Sequence, residues 1–176
     1  STNILHPKET IEFHTAYIPP GSTNRWKKIE TLEGIYKQLA VQTDRKRSLC
    51  GDFNTPQDEL VQYGAVTFAQ KINKIGVPKL KESFRGGSGK RWDEGERKIL
   101  EGLKEYNLID AYRHIHPIPK KAYSFEFVRK GKVVSQRRFD HFFSSKELNP
   151  KSAEYIHQLR KNKLSDHSPL EVIFNY

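Results

Sequence analysis

A chain of 176 residues with ten Phe, eight Tyr and two Trp has the length and the aromatic content for one domain, spanning 1–176, with a real core, and this excludes a disordered polyelectrolyte. No apolar run approaches the roughly 20 residues that cross a bilayer, and the start lacks the charged, apolar, small-residue order of a signal peptide. With 31 Lys+Arg against 21 Asp+Glu the net charge is +10, which favours a polyanionic partner such as DNA, although any single basic run, such as Arg45-Lys46-Arg47 or Arg137-Arg138, reads first as a solvated segment.

In chain order, "TIEFHTAYI" (10–18) reads as a strand with Ile11, Phe13, Thr15 and Tyr17 on one face, stopped by "PPGS". From Asn24 to about Val41 the apolar residues Trp26, Ile29, Leu32, Ile35, Tyr36 and Leu39 recur every three or four positions, the spacing of an amphipathic helix. Ser48 to Cys50 is a short buried strand. The lone Cys50 excludes an internal disulfide and suits a reducing compartment, cytoplasmic or nuclear. The absence of Met implies a processed or truncated chain.

Glu59 to about Ile75 reads as a weaker helix interrupted by Gly64. Residues 84–97, "FRGGSGKRWDEGER", read as a flexible surface loop whose glycines match no phosphate-cradling pattern. Glu96 to Asn107 reads as a helix with Ile99, Leu100, Leu103 and Tyr106 inward, and Lys151 to Arg160 as one more. "YSFEFVR", "VVSQRRFDHFFSS" and "PLEVIFN" read as strands. Helices interleaved with strands and followed by a strand-rich end predict a layered α/β protein.

The chemistry gathers at strand ends. In "LCGDFNTP" (49–56) alternation turns Asp52 and Asn54 to one side and Phe53 to the core. The competing reading is a turn cap before Pro56. Asp140 sits inside the aromatic strand "RRFDHFFSS" and needs a cationic or hydrogen-bonded partner. In "LSDHSPL" (164–170) consecutive side chains diverge, so Asp166 does not orient His167. Asp140 is the candidate orienting acid, and Asp166 is left to face a divalent metal.

The strings "TAYIPPGS", "LCGDFNTP", "NLIDAYRHIHP", "YSFEF", "RRFDHFFSS" and "LSDHSPL", in this order along nearly the whole chain, resemble the exonuclease/endonuclease/phosphatase superfamily, in particular its exonuclease III and AP-endonuclease branch. The resemblance implies a DNase I-like α/β sandwich with mixed, largely antiparallel sheets, of which this chain supplies mainly the C-terminal half. It implies a Mg²⁺-dependent phosphodiesterase, with Mn²⁺ as a substitute, that cuts the DNA backbone as an AP endonuclease or 3′-exonuclease. By resemblance, Tyr17 contacts the scissile phosphate, and Asn54 holds the phosphate or the attacking water. Asp52 activates water or protonates the leaving oxygen, Asp140 orients His167, His167 serves the phosphoryl centre and Asp166 lies close to the metal. Arg113 matches a motif position best read as a structural salt bridge.

Two departures accompany it. The strand Asn and the metal-binding Glu that open the family's fold have no counterpart here, so the chain is expected to lack half of the site. Where the AP-endonuclease branch often has an aromatic wall, this chain has Arg137, with Phe125 and Phe139 still suited to line a sugar pocket. The alternatives are a phosphatase or phospholipid-type phosphodiesterase of the same superfamily, or a non-catalytic nucleic-acid-binding fragment.

Overall fold

The computed structural model describes residues 2–5, 10–118 and 120–175. Strands β1 (Thr2–Leu5) and β2 (Thr10–Tyr17) form an antiparallel pair. A short helical turn, α1 (Gly21–Asn24), and the helix α2 (Lys27–Leu39) lead to β3 (Lys46–Asp52), which runs parallel to β2. Three small hairpins follow, built from β4 (Asp58–Leu60) with β5 (Gly64–Val66), β6 (Gln70–Ile72) with β7 (Pro78–Leu80), and β8 (Ser83–Phe84) with β9 (Gly87–Ser88). Helix α3 (Gly89–Leu100), a 3₁₀ turn, β10 (Ile109–Asp110) and α4 (Ala111–Ile115) come next. The chain ends with β11 (Phe125–Arg129), β12 (Lys132–Arg137), β13 (Asp140–Ser144), β14 (Pro150–Tyr155), α5 (His157–Lys161) and β15 (Leu170–Phe174).

The main sheet has the order β1-β2-β3-β13-β10, antiparallel except between β2 and β3. One of its faces is covered by α2 and α3, where Ile18, Ile29, Leu32, Leu49, Trp92, Ile99 and Phe143 are fully buried. Burial of side chains this size stabilises by about 1.5–3 kcal/mol each. The helix-side residues of β2 are His14 and Ala16, followed by Ile18, whereas the predicted face of Ile11, Phe13, Thr15 and Tyr17 turns the other way. On that second face Phe13 packs edge-on to Phe142 (centroids 6.1 Å apart), and Phe142 meets Phe174 of the β14–β15 hairpin at 5.5 Å. No helix among the described residues is long and apolar enough to cross a membrane.

The helix expected over 24–41 and the strands at β2, β3, β11–β12, β13 and β15 are present. Four expectations are corrected. Residues 59–75 form strand pieces, because Gly64 takes φ +65° and turns the chain between β4 and β5. Residues 84–97 are not a flexible loop: Ser88 caps α3 by accepting from the Arg91 amide at 3.3 Å, and Trp92 and Glu96 are fully buried. The glycine at 95 serves packing, since a Cβ there would lie 2.8 Å from Ile29. The helix expected over 96–107 therefore begins at Gly89 and gives way to a 3₁₀ turn at Gly102–Tyr106, with Ile99 and Leu103 inward as expected. Finally, 151–155 belongs to the strand β14, and helix begins only at His157.

Candidate active site

Strand register brings the site together. Tyr17 pairs with Asp52 across the parallel β2–β3 ladder, and Asp52 pairs with Asp140 across the antiparallel β3–β13 ladder, so three neighbouring strands end at one place. This close approach depends on Gly51, at φ +142°, where a Cβ would lie 1.8 Å from the Ala16 carbonyl oxygen. Phe53 is fully buried, as alternation requires. Asn54 then takes φ +51° and folds back on Asp52: its backbone amide donates to Oδ1 at 2.8 Å and its side-chain amide donates to Oδ2 at 2.8 Å. The same Nδ2 also donates to the Ile18 carbonyl at 3.0 Å, so both of its hydrogens are engaged and the residue holds Asp52 in place. The turn-cap reading and the site reading of this string thus coexist in one geometry.

His167 reaches the same spot from the loop before β15. Its Nδ1 lies 2.6 Å from Asp140 Oδ2, its backbone bridges to Phe125, and its ring packs 4.8 Å from that of Phe125. The ligating atoms of Asp52, Asp140 and His167 all lie within 4.8 Å of one another. Burial, chiefly, pushes the Asp52 carboxyl up to about 6; the Asn54 bond opposes the shift and the negative Asp140 adds to it. His167 is raised, first by its bond to Asp140. The result is a carboxyl poised to exchange a proton near neutrality beside an imidazole that favours its charged form.

A cavity of about 580 Å³ opens over this cluster. Tyr17, 70% exposed, stands at its mouth. Phe125 and Phe139 form one wall with centroids 5.9 Å apart, and Phe127 and Phe68 extend it. Arg137 is clamped over Phe68 at 4.9 Å and over Phe127 at 4.7 Å. Asp166 is exposed on the rim and contributes no atom to the cluster of potential ligands among the described residues.

The sequence offered no sign of the cation beneath the cavity. Lys28 is 1% exposed, and its Nζ donates to the Asn54 carbonyl at 2.8 Å and to Glu96 Oε1 at 2.6 Å. Glu96 is completed by Trp92 Nε1 at 2.8 Å and the Phe68 amide at 2.9 Å. Burial lowers the Lys28 ammonium, against the pull of Glu96. A second buried network carries the loop after Asn54. Arg138, 4% exposed, forks onto Glu59 at 2.8 and 3.1 Å and onto Asp110 at 2.7 Å, while Arg113 grips Glu59 at 2.5 and 3.0 Å. Although burial alone would raise it, Arg138 and then Arg113 hold the Glu59 carboxyl at about 2. Arg113 is thus the structural tie expected of it, whereas Arg138 is no solvated loop residue. His141 Nε2 donates to the Thr55 carbonyl at 2.8 Å and so fixes the turn from the other side.

The fold is that of the DNase I-like endonuclease/exonuclease/phosphatase superfamily. The chain is similar to an AP endonuclease from Archaeoglobus fulgidus (TM-score 0.65, 21% identity, 94% of this chain and 62% of that one). It is also similar to an endonuclease/exonuclease/phosphatase family protein from Leptotrichia buccalis (TM-score 0.53, 20% identity, 99% and 52%). A third similar structure is the 3′ phosphatase NExo from Neisseria, bound to a product DNA hairpin (TM-score 0.53, 18% identity, 92% and 60%). This chain therefore spans between half and two thirds of each of those proteins. No protein-family model matches the sequence, and no curated protein does.

Proposed function

We propose that this chain carries one side of the active site of a divalent-cation-dependent phosphodiesterase that hydrolyses nucleic-acid backbones, as an AP endonuclease or 3′-exonuclease does. The observation that carries the reading is the convergence of Asp52, Asp140 and His167 within 4.8 Å at the floor of an aromatic-walled cavity. The net charge of +10 supports a polyanionic substrate.

In this reading a phosphate lies between Tyr17 at the mouth and His167 at the floor. Asp140 accepts from His167 Nδ1–H and so presents the opposite ring nitrogen to a phosphate oxygen, as an orienting acid does in a catalytic triad. Asp52 keeps lone pairs on both oxygens after its bonds from Asn54 and takes the proton of the attacking water. Water oxygen bonds to phosphorus, the bond to the leaving sugar oxygen breaks, and that oxygen takes up a proton to leave as a hydroxyl. The two carboxylates are hard oxygen donors of the kind that suit Mg²⁺ or Mn²⁺, and the Asp52 carboxyl, raised by burial and further by the neighbouring Asp140, is one that such an ion would stabilise in its charged form. Asp52 and Asp140 would hold it, with Asp166 reaching in from the rim, and it would neutralise charge on the phosphate oxygens.

A further segment completes the site. The chain spans 52% to 62% of the proteins it resembles, and the half-buried Phe13, Phe142 and Phe174 lie on the sheet face that such a segment would cover. The test is cleavage of a duplex with a base-free site and of a recessed 3′ end, with Mg²⁺, Mn²⁺ or chelator, and with or without a supplied N-terminal segment. Metal-dependent cleavage that His167→Ala abolishes is expected. DNA binding with no cleavage in any arm would replace this reading with that of a binding fragment.

A further inference from the structure

A second cavity, of about 330 Å³, has none of Asp52, Asp140 and His167 in its wall and shares only Arg137 with the first. Its volume is at the low end for ligand pockets. Five cationic side chains line it against two acids, Asp58 and Glu59. Glu59 has no capacity left to balance them: Oε1 accepts from Arg113 Nε and Arg138 Nη2, and Oε2 from Arg113 Nη2 and Arg138 Nε, so all four of its lone-pair positions are taken. The remaining nitrogen of Arg113, Nη1, donates to the His116 and Lys120 carbonyls. The remaining nitrogen of Arg138, Nη1, is buried with no acceptor among the described residues. Enclosed in the wall, it acts on the cavity through its field and not by contact.

Three donors remain to make contact: Lys121 Nζ, the Ser135 hydroxyl and the Arg137 guanidinium. None has a hydrogen bond or ion pair among the described residues, and Arg137 is drawn to Asp58 only at longer range. Ser135 and Arg137 lie two positions apart on β12 and so share a face, while exposed Lys121 comes from the loop before β11. The rings of Phe68 and Phe127, at 4.9 and 4.7 Å, hold the plane of Arg137. Donors from separate elements around a positive hollow suit an anion with several oxygens. A carboxylate offers two oxygens and one charge, whereas a phosphate group offers three and carries about −1.5 to −2 at pH 7. Pro56, Ile118 and Tyr123 add apolar wall beside these donors. We propose that the second cavity is a phosphate-binding site separate from the reaction centre, which takes a small ligand, inorganic phosphate or a mononucleotide. The ligand is held there and not cleaved, so the proposal stands apart from the phosphodiesterase reading above.

The experiment follows the amide NMR signals of the chain at neutral pH in chelator during titration with inorganic phosphate, deoxyadenosine 5′-monophosphate or deoxyadenosine. Both phosphates are expected to shift the amides of Lys121, Tyr123 and Ser135, and deoxyadenosine to leave them in place. Tighter binding of the mononucleotide than of inorganic phosphate would assign the apolar wall to the nucleoside, and equal binding would make free phosphate the ligand. Lys121→Gln combined with Ser135→Ala should weaken the binding read at these amides about tenfold, whereas His167→Ala should leave it unchanged. Shifts confined to Tyr17, Asn54 and His167 would overturn the proposal, because the phosphate would then enter the first cavity alone. Equal shifts with deoxyadenosine, or undiminished affinity in the double variant, would overturn it too. The titration involves no turnover, so a failure of cleavage bears on the phosphodiesterase reading and leaves this site standing.

Discussion

Asp140 and His167 are joined by one short contact, Oδ2 to Nδ1 at 2.6 Å, across 27 residues of sequence. The bond fixes the imidazole tautomer and raises its basicity. Asp140→Asn keeps the shape but offers a neutral amide in place of the carboxylate. Turnover on a cleavable duplex should drop by about 10³–10⁴-fold, the cost of losing an orienting acid, with substrate affinity nearly unchanged. The His167 titration followed by NMR should move down toward the ordinary histidine value. A His167 midpoint that stays where it was would show that Asp140 does not set it.

Asp52 binds its proton more tightly in the folded chain than in the unfolded one, at about 6 against 3.8. The stability this contributes is full below the lower value and is lost as pH rises through the upper one, because the folded state must then hold a buried anion. Asp52→Asn should therefore stabilise the fold above about pH 6 and make little difference near pH 4, while it removes activity. Each pKa unit corresponds to about 1.4 kcal/mol, and partial exposure reduces the gain to on the order of 1–2 kcal/mol. Denaturant melts at pH 4 and pH 7.5 check the sign, and a loss of stability at pH 7.5 would contradict it. Mg²⁺, by supplying the missing positive charge, should raise the melting temperature of the native chain and not of this variant.

The positions of these acids could be read in the sequence for a physical reason. Each lies at the end of an alternating strand or in a short turn string, where local chemistry dictates which way a side chain points. Register then turns local direction into proximity, as in the Tyr17–Asp52–Asp140 row. What escaped notice was governed by long-range pairing. Trp92 and Glu96 are buried although their surroundings, rich in glycine and charge, carry no apolar period, because Gly95 lets α3 approach Ile29 closely and Glu96 finds its partner 68 residues away. The same blindness explains Arg47 and Arg138, basic residues at 3% and 4% exposure that satisfy buried carbonyls and carboxylates instead of facing an external anion.

Lys28 and Glu96 anchor the Asp52–Asn54 turn from below. Lys28→Met leaves Glu96 as a buried, unpaired carboxylate and should cost about 3–5 kcal/mol of stability. Adding Glu96→Gln to it removes the stranded charge and should recover most of that loss, so the double-mutant cycle should show strong coupling. Activity should not return with stability, since the Asn54 carbonyl has lost its donor and the Asn54–Asp52 turn its anchor. Denaturant unfolding and cleavage rates measured on the same three variants decide this, and full recovery of rate in the double variant would reduce Lys28 to a packing residue.

Nucleic-acid binding should carry the signature of displaced counterions. Because Arg47 and Arg138 are buried, the charge available to phosphates sits on exposed residues, among them Arg129, Lys130 and Lys132 at the tip of the β11–β12 hairpin, and Lys121 beside the second cavity. If about five phosphates are neutralised, log affinity for duplex DNA should fall against log salt with a slope of about −4.5. Lys130→Ala and Lys132→Ala should each reduce the slope by roughly one. Arg138→Met, in contrast, should lower stability and leave the slope of whatever remains folded unchanged. A flat salt dependence in the native chain would mean that its positive charge does not meet a phosphate backbone, and the substrate would then have to be sought among small phosphate esters.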